Sequence, residues 1–225
     1  MLRTGVEEIK WRCNVYIIDK KCFKDCNVDE RLGEITSCDG AVYKVIKDNQ
    51  KYALKMYFWE KHESNIEENF HKEQKMSRIM SKNNLGPVFH DCWIDKGKYW
   101  KEAGRGGNCK SQYICVDVGF ILMEIMQYNL DGYLHHKIFY LCKEEILLML
   151  KILLNEMTRL SISHGDLQDG CGNNITLNFK NNKPSKMRLI DFSQSKCNNN
   201  DNCFDTDRFI RKLREKMDER CELDK

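Results

Sequence analysis

The sequence predicts an α+β fold in two parts: an antiparallel sheet carrying one helix, followed by a shorter, mainly helical part. Three observations lead there. Two β-branched and aromatic runs, Ala41-Val42-Tyr43-Lys44-Val45-Ile46 and Tyr52-Ala53-Leu54-Lys55-Met56-Tyr57, flank the turn-forming Asp48-Asn49-Gln50. A charged segment over residues 63–82 places Ile66, Phe70, Met76, Ile79 and Met80 at helical spacing. Residues 143–161 are apolar nearly all round, the mark of a core helix. A chain of 225 residues is long enough for one full core or for two small lobes.

In order along the chain, residues 11–30 alternate only weakly and carry no clear assignment. Residues 30–58 read as strands, with a hairpin at Asp48 to Gln50. The helix over 63–82 ends at Asn83-Asn84-Leu85-Gly86-Pro87. Val88 to Ile94 reads as a strand, residues 95–112 as a polar loop rich in glycine, and Val116 to Met126 as a strand buried on both faces. The composition changes there, so the boundary falls near residue 127, giving parts 1–126 and 127–225. After the apolar helix, Asn174 to Asn178 and Lys186 to Ile190 are short strand-like runs joined by Asn181-Asn182-Lys183-Pro184. An amphipathic, charged helix over Asp205 to Arg220 closes the chain.

A net charge of +3 gives no argument for nucleic acid as a partner. No apolar run approaches the roughly 20 residues of a membrane span. The start MLRTGVEEIKWRC lacks the apolar core of a signal peptide. Together these features lead to the expectation of an intracellular, cytoplasmic protein whose twelve cysteines are reduced thiols. Cys22 and Cys26 have a C-x3-C spacing with Cys13 nearby, but no second pair completes a zinc set.

The chemistry sits in an ordered series of motifs. Phosphoryl transfer needs the nucleotide phosphates held by positive charge and metal, and an acceptor oxygen held in line. That calls for a strand lysine, a carboxylate partner for it, a carboxylate near the acceptor, and oxygen ligands for magnesium. The chain offers Tyr52-Ala53-Leu54-Lys55, Phe70-His71-Lys72-Glu73, His164-Gly165-Asp166-Leu167, Asn173-Asn174-Ile175 and Leu189-Ile190-Asp191-Phe192, in that order.

These segments resemble the motifs of the protein-kinase-like superfamily over roughly residues 30 to 210. The resemblance implies a two-lobed kinase-like fold with a shortened helical C-terminal lobe. It implies an ATP- and Mg2+-dependent Ser/Thr protein kinase, with Mn2+ as a substitute metal and a protein as substrate. Asp166 would orient the acceptor hydroxyl or take its proton. Lys55 would hold the α- and β-phosphates, with Glu73 as its partner. Asn174 and Asp191 would bind the metal. Gly40, Val42 and Ala53 would line the nucleotide site. Met123 would be the gatekeeper, and the backbones of Glu124 and Met126 would bind adenine. The economy of the C-terminal part resembles the RIO-like group, the kinase subunit of the KEOPS complex and short kinases of large DNA viruses. The viral likeness would put the protein in a host cytoplasm or a virion.

The pattern also departs from that family. Aligning on Gly40 puts Ile35 and Ser37 where two glycines usually lie, and Gly33 serves only in a longer loop. Five residues after Asp166 stands Cys171; Asn174 comes three residues late, behind Gly170-Cys171-Gly172, with Asn173 as a competitor. Ser193 replaces the last glycine of D-F-G, and 34 residues follow Asp191, too few for a long activation segment. Two other functions therefore stay open: a pseudokinase serving as a binding or scaffold module, and a small-molecule kinase of the aminoglycoside or choline type.

Overall fold

The structure is a computed structural model that describes residues 5–32, 40–101, 111–133, 142–167, 172–197 and 205–223. The chain divides into two compact units, one of residues 1–74 and 89–125, the other of residues 75–88 and 126–225. The segment 75–88 thus joins the second unit, which a single boundary near residue 127 does not anticipate.

The first unit is built on seven antiparallel strands: β1 (Val6–Trp11), β2 (Asn14–Asp19), β3 (Asn27–Leu32), β4 (Ala41–Lys47), β5 (Gln50–Trp59), β6 (Phe89–Lys101) and β7 (Gln112–Glu124). They lie in the order β1-β2-β6-β7-β5-β4-β3. Arg31 on β3 donates to the Lys10 carbonyl on β1, so the two edge strands meet and the sheet becomes barrel-like and nearly closed. Asp48 and Asn49, at φ 50° and 62°, form the two-residue turn that sets the β4–β5 register.

Ile18, Leu54, Met56, Phe58, Val118 and Phe120 fill one side of this sheet. Tyr57, Trp59, Phe70 and Ile121 pack on the other, which explains why β5 and β7 are buried on both faces. Phe70 rides on helix α1 (Ser64–Lys82) and lies flat on Gly119, where a Cβ would come 2.5 Å from its ring. Gly119→Ala is therefore expected to cost about 1–3 kcal/mol, by the penalty for overpacking. Urea unfolding of the variant measures this; an unchanged midpoint would contradict the packing described.

A 3-10 turn over Lys20–Phe23 ends at Lys24 in a left-handed conformation. Its ammonium lies 3.0 Å from the Asp91 carboxylate. Burial pushes the Asp91 carboxyl up, but the bonds from Lys24 and from the Cys92 N–H outweigh it, and the net direction is down. A carboxylate lowered on folding stabilises above its ordinary range and loses that contribution as pH falls through the lowered value. Both partners are nearly half exposed, so Asp91→Asn should cost less than about 1 kcal/mol at pH 7. The gap to the native protein should close in acid, as read by unfolding at pH 7 and below pH 3.

The second unit contains the last turns of α1 and the strands β8 (Tyr128–Asn129), β9 (Ile162–Ser163), β10 (Ile175–Lys180), β11 (Lys183–Leu189) and β12 (Lys196–Cys197). Its helices are α2 (Leu130–Tyr133), α3 (Lys143–Arg159) and α4 (Thr206–Leu223). The strands form two small sheets, β11-β10-β8 and β12-β9. Ile146, Leu150 and Leu154 of α3 pack with Leu177, Leu189 and Leu213 in one core. Asp205 caps α4 by accepting from the Arg208 N–H, and Arg214 forks onto Glu144 at 2.6 and 2.9 Å.

This architecture overturns the kinase-like fold expected from the sequence. Among the described residues strands make up 44 %, most of them in a large, nearly closed antiparallel sheet, beside four α-helices. The second part mixes its helices with five short strands among the described residues. Two physical causes account for the difference. Strands β1 to β3 are only six residues each, and β3 has a register shift between Val28 and Arg31 that breaks its alternation. The apolar helix α3 also does less than its composition suggests, since Leu148 and Ile152 stay exposed.

Candidate functional site

In the first unit, strand pairing aligns the residues expected to hold a nucleotide. Lys55 on β5 faces Val42 on β4 and Ile121 on β7, while Ala53 pairs with Met123 and Tyr52 with Glu124. The lysine is 6 % exposed although its chain ends in a charge. Its Nζ sits 3.4 Å from a Glu73 carboxylate oxygen and 5.2 Å above the Tyr57 ring. Glu73 is 1 % exposed and lies on the same α1 stripe as Phe70 and Met80, whereas Glu67 and Glu68 are exposed. An acid inside an apolar stripe is costly unless it is paired. Its burial separates Glu73 from those neighbours.

Gly40, at φ 139°, stands where any Cβ would run into the Met56 carbonyl, so the start of β4 requires glycine. Gly33, Ile35 and Ser37, the rest of the expected phosphate loop, lie outside the described residues. Met123 and Glu124 are half-buried at the end of β7, and Met126 is half-buried in the second unit.

The second unit brings the other expected residues together around two crossing segments. The Asn174 side-chain amide donates to the Asp166 carboxylate at 2.9 Å and to its backbone carbonyl at 3.1 Å. The Ile190 N–H donates to the Asn174 carbonyl at 3.0 Å, tying this strand start to the residue before Asp191. His164 is buried, and its Nε2 lies 2.8 Å from the Ile190 carbonyl. A carbonyl can only accept, so Nε2 carries the proton. The Ser195 hydroxyl donates to the His164 carbonyl at 2.9 Å. Gly165, at φ 81°, passes so close to the Gln194 carbonyl that no side chain fits. The segments around Asp166 and Asp191 are thus cross-linked at several points, and β9 pairs with β12 just beyond them.

Asp191 is half-buried in a left-handed conformation at φ 64°. The Ser193 hydroxyl donates to its Oδ1 at 3.3 Å. Phe192 is buried against the His164 ring, with centroids 5.4 Å apart. Gly170 and Cys171, part of the stretch that delays Asn174, lie outside the described residues. Gly172 packs against Leu130 at the start of α2, and Asn173 is an exposed turn residue. Of the two competing asparagines it is Asn174 that bonds Asp166.

Among the described residues no three His, Cys, Asp or Glu side chains gather as a metal cluster. Magnesium is served by few protein oxygens, keeping water and phosphate for the rest. Asp191 offers carboxylate oxygen, and Asn174, whose Nδ2 is engaged by Asp166, keeps Oδ1 as an acceptor. This donor set fits the ion. Burial pushes the thiols of Cys22 and Cys26 up, Cys22 to about 11.

Sequence reasoning did not find the roles of Ser193 and Ser195. Their alternation in Asp191-Phe192-Ser193-Gln194-Ser195 was the available signal, since both hydroxyls are buried. No protein-family model matches the chain. No curated protein matches it either.

Proposed function

We propose that the protein is an ATP- and Mg2+-dependent phosphotransferase that moves the γ-phosphoryl group to a Ser or Thr hydroxyl of a protein. The observation that carries this reading is the bond between Asn174 and Asp166. The asparagine comes three residues late in sequence, yet its amide reaches the Asp166 carboxylate and its carbonyl is tied to the Asp191 segment. A chance H-G-D tripeptide has no reason to be so connected.

Lys55 is a buried cation held by Glu73, a group suited to phosphate oxygens. Asp191 and Asn174 would hold Mg2+ or Mn2+, and such an ion would supply positive charge for phosphate oxygens. Asp166, fixed by Asn174, accepts a hydrogen bond from the acceptor hydroxyl and takes its proton as the oxygen attacks. The carboxylates and the lysine act by position and charge, which is most of what phosphoryl transfer asks of a protein.

Thermal unfolding with nucleotide tests this. Mg-ATP at about 100 times its dissociation constant stabilises by about 2.7 kcal/mol, a rise of a few degrees. The rise should shrink with EDTA and in Lys55→Met. No rise at millimolar Mg-ATP would contradict the proposal. Radiolabel transfer to a basic protein should follow. Transfer to aminoglycosides or choline instead would overturn the protein-substrate assignment, and nucleotide binding without any transfer would point to a binding module.

A further inference from the structure

We propose that the outer face of the first unit's sheet, where Trp100 and Tyr113 stand beside Lys10 and Lys98, binds a single-stranded nucleic acid by stacking on its bases and pairing with its phosphates. The proposal goes beyond the phosphotransfer reading and uses none of its residues.

Strand alternation puts these side chains on one face. Ile9, Trp11, Tyr16, Tyr99 and Val116 point into the core, so the residues between them point the other way. The register then sets out two rows across β1, β2, β6 and β7. In the first, Lys10 pairs with Val15 and Trp100 with Tyr113, and the pairing of Tyr16 with Tyr99 sets Val15 beside Trp100. In the second, Glu8, Ile17, Lys98 and Cys115 follow one another across the strands. Helix α1 covers this face farther along, where Phe70 lies on Gly119. It leaves Trp100 47 % and Tyr113 44 % exposed, an unusual cost for two neighbouring aromatic rings in water.

The charges on the face select an anion. Among the described residues no carboxylate lies within ion-pair distance of Lys10 or Lys98, nor of Lys101 at the end of β6, whereas Lys96 is taken by Asp117. Glu8 is the one acid in the two rows. The Trp100 and Tyr113 rings meet edge to face at 5.0 Å, and the Lys98 Nζ lies 4.8 Å from the centre of the Tyr113 ring. A cation therefore sits at the aromatic pair itself. Exposed rings alone would suit an apolar peptide, and lysines alone any polyanion. Rings and lysines side by side match a strand whose bases and phosphates alternate and whose bases are not already stacked in a duplex.

The test titrates the full-length chain into a fluorescein-labelled oligothymidylate of about 12 nucleotides, read by anisotropy from about 50 to 200 mM NaCl. Two or three neutralised phosphates give a slope near −2 in log affinity against log salt, at about −0.7 for each. Trp100→Ala should weaken binding about tenfold at every salt concentration, the loss of one stacked base, while Trp100→Phe keeps most of the affinity. Lys98→Ala should weaken binding and flatten the slope by about 0.7. Lys180→Ala, which removes an exposed lysine from the second unit, should bind as the native protein does. All four variants should melt as the native protein does, since each side chain lies at the surface. No binding at the lowest salt would overturn the proposal. Native affinity in Trp100→Ala, or equal losses in Lys98→Ala and Lys180→Ala, would reduce the binding to unspecific charge and overturn the assigned face. Binding to phosphatidylserine vesicles with the oligonucleotide ignored would make the face membrane-directed and overturn the assigned partner.

Discussion

Asp166→Asn is expected to lower the phosphotransfer rate about a thousandfold while leaving the fold intact. Asparagine has the same shape as aspartate, and its side-chain oxygen can still accept the Asn174 amide that lies 2.9 Å from the carboxylate. The cross-links around it, from His164 to the Ile190 carbonyl and from Ser195 to the His164 carbonyl, do not involve the Asp166 side chain. What disappears is the ability to accept the proton of an attacking hydroxyl, a contribution of about 10²–10⁴ in rate for a placed general base. Steady-state transfer to a basic protein, together with the melting temperature, measures both sides. The rate should collapse with the melting temperature within about 2 °C of native, a surface-like change. Undiminished transfer would remove Asp166 from the mechanism.

Glu73→Ala is expected to have the largest effect on stability. It strips the carboxylate partner from Lys55, whose ammonium is buried beside it at 3.4 Å. Breaking a buried pair by removing one member costs about 3–5 kcal/mol, because the remaining buried charge loses that partner. That is a large share of the roughly 5–15 kcal/mol that holds a domain together. Replacing both members by apolar residues of similar volume, Lys55→Met with Glu73→Leu, should restore at least half of the loss, since neither charge is then left buried. Denaturant unfolding of the two single variants and the double variant reads the coupling. Additive losses would contradict the pair. The double variant should also fail to be stabilised by Mg-ATP, which separates the structural from the functional share of Lys55.

The sequence made some of this legible and concealed the rest for identifiable reasons. The β4–β5 hairpin could be read because Asp48-Asn49 is turn chemistry between two alternating runs, and the two residues do adopt positive φ. Helix α1 could be read from its stripe, whereas Glu73, with Glu67 and Glu68 competing for its role, is separated from them by its burial in the structure. The fold class was misjudged. Strands β1 and β2 are only six residues each, and the exposed-buried alternation in β1 is confined to Glu8-Ile9-Lys10-Trp11, too short a run to announce a strand. The near-closure of the sheet depends on Arg31 reaching the Lys10 carbonyl, a contact 21 residues apart that no local pattern announces. The apolar helix α3 suggested a helical second part, but its core also takes Leu177 and Leu189 from a small sheet.

The site was legible where side-chain chemistry defines it and obscure where backbone geometry does. Lys55, Asp166 and Asp191 are picked out by the resemblance of their segments to kinase motifs. The choice between Asn173 and Asn174 is not, because it depends on how the chain runs between Asp166 and Gly172. Gly165 looked like a motif letter; its positive φ and close approach to the Gln194 carbonyl give it a structural reason. Ser193 looked like a lost glycine, and its buried hydroxyl on Asp191 shows a gained hydrogen bond instead.

The most direct test of the central claim is a crystal structure with Mn2+ and a non-hydrolysable ATP analogue, the metal located by its anomalous signal. The account predicts that Mn2+ would be held directly by an Asp191 carboxylate oxygen and by Asn174 Oδ1. Manganese bound by other side chains, or absent from Asp191 and Asn174 while nucleotide is present, would contradict it.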